Sequence, residues 1–334
     1  MMELNHIKYM VLCKLPYYGR KIINRFMNGF RRRRNESLAS KLEDIRNLLI
    51  YNHPVSQVPP ATGKLRLLQE GNTVLLALFA RKCRENGLRY WLDYGTLLGA
   101  VRHRGFIPWD DDVDVALLRD DYEEFLEKAP SLLPRNIFVQ DYRSDPEFPA
   151  IFAKLRNSET AYIEKSASRL NINHGIYIDI FPLDGYPEKK AEQRKLEFKK
   201  KIYKRLLASA FYTENSLKKL MYLPLKIIGA NKNTAKTVKK YTDMISSYSA
   251  ENSTVLANHG NWQGTLDYSP KEFFGKGRYA EFEGLRVIVP EMAEEYLERK
   301  YGDIKKDPPK EKQAGHHYYS VMDTEKPYTE YVNK

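Results

Sequence analysis

Between Leu65 and Asn86 the apolar positions Leu68, Leu75, Leu78, Phe79 and Cys83 recur at the three-to-four spacing of a helix with one buried face. Gly87 supplies the stop, since glycine adopts the left-handed conformation that closes a helix. "LRYWLDYG", ending at Gly95, reads as a short strand by its aromatic and aliphatic content. Thr96 is placed to cap a following helix, "TLLGAVRH". "DDVDVALL" alternates acids with apolar residues and predicts a second strand, and "RDDYEEFLEKA" predicts a helix with carboxylates at its positive end. "NIFVQ", "IFAKLRN", "TAYIE" and "IYIDIF" are further strand candidates. Helices interleaved with strands in this way predict a mixed α/β body.

The pattern changes after Lys189. Lys189 to Phe211 reads as a long charged helix, and Ser216 to Tyr241 as a more apolar one interrupted by Pro224 and Gly229. The proline-interrupted "YGDIKKDPPKEKQAGHHYY" reads as an extended tail laid over the body. The organisation is an N-terminal arm at 1–60, a catalytic core at 61–187, a helical insertion at 188–250, and a C-terminal part at 251–334 that completes the catalytic domain.

Charge sharpens this division. The chain of 334 residues carries a net charge of +12, yet residues 1–35 hold 9 Lys/Arg against 1 acid, and residues 189–241 hold 16 against 3. The rest of the chain is therefore net acidic. A nucleic-acid enzyme would need a basic channel beside its acids, so nucleic acid is not an expected partner. Both basic segments are interleaved with bulky apolar residues, and neither has the ~18 uninterrupted apolar residues of a membrane span. Each suits the surface of an anionic membrane or a helix packed on the body with a solvated basic face. Two cysteines, Cys13 and Cys83, are too few for a disulfide framework and point to a reduced, cytoplasmic protein.

The densest chemistry lies in "GTLLGAVRHRGFIPWDDDVDVALL", from Gly95 to Leu118. Asp110, Asp111, Asp112 and Asp114 repel one another unless a cation sits among them. Strand alternation points Asp112 and Asp114 the same way and turns Val113 and Val115 to the core. A calcium loop beginning at Asp110 fails, because Val115 stands where its sharp turn demands glycine and Asp121 where it demands glutamate. A magnesium site for phosphate chemistry fits better, with manganese as the substitute. Asp179, in the apolar run "GIYIDIFPLDG", is the candidate third ligand or base, since an acid there is costly without a partner. Gly95 leaves room for backbone amides to approach phosphate. Arg102, Arg104, Lys154 and Arg156 are clamp candidates or structural ion pairs. Of His316 and His317, which an extended backbone turns to opposite sides, His316 is the favoured contact. Trp109 shapes the turn that delivers the aspartates.

A glycine with a small hydroxyl residue opening a helix, an acid pair on the next strand and a lone acid on a later strand resemble the nucleotidyltransferase superfamily. More narrowly, "YWLDYGTLLGAVRHRGFIPWDDDVDVAL" with "FAKLRN", "IYIDIFPLDG" and the terminal "YGD", "PP" and "HH" resembles the LicD family over about residues 65–320. The resemblance implies a nucleotidyltransferase-type mixed sheet flanked by helices. It also implies magnesium-dependent transfer of a phospho-alcohol from a cytidine diphosphate donor to a sugar hydroxyl of a cell-surface glycan or its lipid-linked oligosaccharide precursor. Asp112, Asp114 and Asp179 would carry metal and catalysis, with Gly95, Thr96, Arg102, Arg104, Lys154, Arg156 and His316 on the substrate. CDP-choline leads among the donors, with ribitol phosphate and glycerol phosphate as open alternatives. The work would be done at the inner face of the cell membrane. A glycosyltransferase using Asp112-Val113-Asp114 and a non-catalytic membrane scaffold are the competing readings.

Overall fold

A computed structural model describes residues 59–211, 233–260, 264–315 and 317–332. The N-terminal arm, apart from its last two positions, and the interrupted stretch around Pro224 and Gly229 lie outside these residues. The described chain is a mixed α/β fold. Helix α1 (Gly63–Asn86) buries Leu68, Leu75, Leu76, Phe79 and Cys83 on one stripe. Gly87 ends it at φ 72°, where a residue with a side chain would be strained, and Leu88 N–H bonds back to the Cys83 carbonyl at 2.9 Å. Buried on that same stripe are two polar residues, Gln69 and Asn72.

Seven strands make the main sheet. β1 (Tyr90–Leu92) pairs antiparallel with β2 (Asp114–Leu118), which pairs parallel with β6 (Ile176–Gly185). β6 pairs on its other side with β4 (Ala153–Asn157), which β3 (Ile137–Gln140) flanks. Its far end takes β7 (Val255–Asn258), which pairs with β8 (Tyr268–Pro270). All ten residues of β6 are buried, as expected for the central strand of a sheet covered on both faces. Helices α2 (Tyr94–His103) and α3 (Arg119–Leu132) follow β1 and β2 directly. The hairpin of β9 (Arg278–Phe282) and β10 (Leu285–Val289) turns through Glu283 and Gly284, both at positive φ. β5 (Ala161–Glu164) pairs with β11 (Tyr319–Asp323), so the C-terminal tail does lie over the body as an added strand.

The charged helix α4 (Lys190–Phe211) packs on α5 (Thr234–Ile245). Leu196, Leu207, Val238, Tyr241 and Ile245 form a small core of their own, with Tyr203 and Tyr241 stacked at 5.2 Å.

The local expectations shift in two places. Asp93, not Thr96, is the N-cap of α2, because the helix begins two residues earlier and the Asp93 carboxylate accepts from the Tyr94 amide. Regular pairing of β2 begins at Asp114, so Asp112 lies on the approach to the strand rather than within it.

Candidate active site

Asp114 and Asp179 sit directly opposite each other on the parallel strands β2 and β6, about 4.8 Å apart along the ladder. Both side chains rise on the same face, because Val113, Val115, Ile178 and Ile180 are fully buried on the other. The Asp179 amide donates to the Val113 carbonyl at 2.8 Å, and the Asp114 amide donates to Thr96 Oγ1 at 2.8 Å. Thr96 therefore fixes the strand that bears Asp114, with its oxygen engaged by that amide.

The turn before β2 brings in more acids. Asp110 and Asp111 are buried, and their carbonyls are held from α1 by Gln69 Nε2 at 2.9 Å and Asn72 Nδ2 at 3.3 Å. A Cβ on Gly95 would meet Asp110 Oδ2 at 2.5 Å. The missing side chain at Gly95 thus makes room for an aspartate, where phosphate had been expected. Asp110 Oδ2 itself is buried with no hydrogen-bond donor.

His317 completes the arrangement. Its backbone N–H and Nδ1 lie 3.1 and 3.2 Å from the two Asp111 oxygens, and Nδ1 is 3.7 Å from Asp112 Oδ2. Asp111, Asp112 and His317 offer ligand atoms within 4.8 Å of one another. His316, the favoured histidine of the sequence, lies outside the described residues. Gly315 is also constrained, since a Cβ there would come 2.9 Å from Asp111 Oδ2.

Lys154 Nζ lies 3.0 Å from Asp179 Oδ1 and 3.8 Å from Glu164 Oε2, and 3.2 Å above the Tyr177 ring. The other three cations lie elsewhere. Arg156 is fully buried, donating to Gln140 Oε1 at 2.6 Å and the Gly175 carbonyl at 2.7 Å. Arg102 pairs with Asp307. Arg104 sits in the left-handed position that ends α2, where its carbonyl accepts the Glu283 amide at 2.9 Å. Arg102 and Arg156 are thus tied into the frame by their side chains and Arg104 by its backbone, and Lys154 stands with the acids.

Burial raises the carboxyl pKa of Asp110, Asp112, Asp114 and Asp179 above the ordinary range, and in each the neighbouring aspartates or Glu164 add to the rise. Lys154 pulls Asp179 part of the way back. At His317, burial works toward a lower pKa but the Asp111 bond and the Asp112 charge outweigh it, holding the ring up at about 9. The orphaned Asp110 oxygen and five aspartates against one lysine and one histidine suit a hard divalent cation. Histidine in the set is also compatible with manganese.

Residues 87–215 match the family model described as LicD/FKTN/FKRP, nucleotidyltransferase domain. A lipopolysaccharide cholinephosphotransferase LicD of Haemophilus influenzae is 32% identical over 256 residues, covering 73% of this chain and 92% of its own. The chain belongs to the LicD family. The human ribitol 5-phosphate transferase FKRP is 57% identical over 35 residues, covering 10% of this chain and 7% of its own length. With a transferase relative matched over 73% of its length, this LicD-family chain is an enzyme of the transferase class.

The sequence left Asp110, Asp111 and His317 out of the site proper. Asp110 and Asp111 were visible in the run. What ties them to it, Gln69 and Asn72, showed only as polar breaks in the apolar stripe of α1.

Proposed function

We propose that this protein moves a phospho-alcohol from a cytidine diphosphate donor to a sugar hydroxyl of a cell-surface glycan or its lipid-linked precursor. The observation that supports the reading is the pairing of Asp114 with Asp179 on adjacent parallel strands, with Asp112 just before the first of them, within a LicD-family chain. Asp112, Asp114 and Asp179 would hold magnesium, or manganese in its place. Such an ion neutralises charge on the donor's diphosphate and orients it for in-line displacement. Asp110, pressed against Gly95, adds negative charge beneath the pair.

On the acceptor side Asp179 takes the hydroxyl proton as the sugar oxygen bonds to phosphorus and the bond to CMP breaks. Burial raises the pKa of Asp179, which makes it a stronger proton acceptor than an ordinary carboxylate. Lys154, 3.0 Å away, keeps Asp179 ionised before the transfer and faces the phosphate oxygens afterwards. Phosphocholine is the group this reading places first, as in the Haemophilus relative's name, and ribitol phosphate second, as in FKRP.

The test incubates the protein with magnesium, a lipid-linked saccharide acceptor and either CDP-choline, CDP-ribitol, CDP-glycerol or a set of sugar nucleotides. CMP released from one CDP-alcohol, and lost in Asp114→Asn, is the expected result. Turnover of sugar nucleotides alone would assign the acids to a glycosyltransferase and overturn the reading.

A further inference from the structure

Helix α4 has two faces that differ in kind. Its inner face is packed: Leu196 and Leu207 are buried against α5, and Lys200 turns inward to pair with Glu197 at 3.1 Å and with the Tyr268 hydroxyl. Its outer face nonetheless carries Phe198 at 66% exposure and Ile202 at 45%. At about 100° per residue, Arg194, Lys195, Phe198, Lys201, Ile202 and Arg205 fall within about 120° of one another. All four cations are exposed, and no acid falls in that arc. A solvated face has no use for an exposed phenylalanine and isoleucine one turn apart, and a purely ionic site needs only the cations.

We infer that the outer face of α4 is a docking surface for an anionic lipid bilayer. The apolar pair enters the headgroup boundary while the four cations meet lipid phosphates on either side. Their long stems let the charged heads reach outward as the ring sinks. Pairing with a second copy through this face would set four cations against four cations. A polyanionic glycan would leave Phe198 and Ile202 in water. None of the described helices is long and apolar enough to cross a membrane, so attachment of this kind lies in the plane of the surface. The inference is independent of the chemistry proposed for the acids, because α4 contributes no residue to that site.

The experiment uses the full chain with Phe198→Trp as an emission reporter, the native tryptophans being subtracted. Vesicles are of phosphatidylcholine alone or with an equal share of phosphatidylglycerol. In buffer the indole should emit as a water-exposed one, and anionic vesicles alone should shift it to the blue. Brominated lipid should quench it. Arg194→Gln with Arg205→Gln should weaken partition about twenty-five-fold, since each cation near such a surface contributes on the order of fivefold. Phe198→Ser with Ile202→Ser should also weaken it, with unchanged circular dichroism. Four results would overturn the inference: emission already blue in buffer; equal response to neutral and anionic vesicles; vesicle binding with no reporter shift, which would assign binding to another basic segment; or the same shift with a soluble polyphosphate. Because vesicle binding is read without turnover, a failure here leaves the transferase reading untouched, and the reverse also holds.

Discussion

Two groups of buried acids adjoin where the Asp93 amide donates to the Asp114 carbonyl at 3.0 Å, and the protein treats them in opposite ways. Asp93 and Asp267 are surrounded by built-in donors. Asp93 accepts from the Tyr94 amide at 2.8 Å, the Tyr296 hydroxyl at 2.6 Å and Asn258 Nδ2 at 3.4 Å. Asp267 accepts from the Tyr94 hydroxyl at 2.9 Å, and the buried Lys300 lies 3.5 Å from Asp267 and 3.9 Å from Asp93. The second group, Asp110, Asp112, Asp114 and Asp179, has Lys154 on one flank and His317 on the other, and Asp110 Oδ2 has no donor at all. The first group is complete as folded and acts as a brace. It holds Tyr94 at φ 44°, a costly conformation for a bulky residue, so that Gly95 and Thr96 meet Asp110 and Asp114. The second is complete only with a cation of higher charge.

Removing the brace's own cation should have the largest effect. Lys300→Met leaves two buried carboxylates without their charge partner, and breaking a buried pair costs about 3–5 kcal/mol. Thermal unfolding should show this as a large fall in Tm, and added divalent ion should not restore it. A fall that magnesium repairs would mean that the two groups share one cation site and would erase the contrast.

In the second group the same kind of change should act on turnover. Asp112→Asn and Asp114→Asn should each lower turnover at least about a hundredfold, the loss seen even for partners of metal ligands, while Tm holds or rises as repulsion is relieved. Asp179→Asn should collapse kcat while donor KM changes little. Unchanged kcat with a depressed Tm would reduce Asp179 to a structural partner of Lys154.

The two groups also differ in how far the sequence reveals them. The positions of Asp114 and Asp179 on one sheet face were legible because a period of two sets acids opposite valine and isoleucine, whereas Asp112 falls just before the strand. The long helices and most strands were legible for the same reason of period. The brace was not: Asp93 reads as an ordinary end of a strand, and Lys300 lies 207 positions away in helix α6 (Ala293–Tyr301), among other exposed charges. Local pattern carries no record of which lysine turns inward. The place of His317 has a similar cause. Alternation says that adjacent histidines diverge, but not which side His317 takes, and His317 bonds to Asp111 while His316 lies outside the described residues. The β9–β10 hairpin, which packs beside β1, also went unremarked in the sequence.

Divalent ion should separate the groups by stability, with a smaller effect. At a hundred times its Kd, a ligand that binds only the folded state adds about 2.7 kcal/mol. Magnesium or manganese should therefore raise the Tm of wild type by a few degrees, as it should for Lys300→Met from its lower start. It should leave the Tm of Asp112→Asn with Asp114→Asn unmoved. An equal rise in that double variant would place the ion elsewhere.

The smallest effect is in pH. Asp110, Asp112, Asp114 and Asp179 have folded pKa values raised above the ordinary carboxylate range, first by burial. The folded state thus binds more protons than the unfolded one, and stability falls as pH rises through those raised values. His317 adds to the same slope. Its folded pKa of about 9 exceeds the ordinary 6.5, so its contribution is full below about 6.5 and is lost as pH climbs toward 9. Metal-free protein should therefore lose Tm between about pH 6.5 and 9, above the range in which His103, His174 and His259, with pKa values lowered by burial, act the other way. Saturating magnesium should flatten the acid part of that slope, because the ion takes the place of the protons. Asp114→Asn should flatten part of it without any ion. A metal-free Tm that instead rises with pH over this range would mean that the acids are satisfied by the chain alone, as in the brace, and the difference between the two groups would disappear.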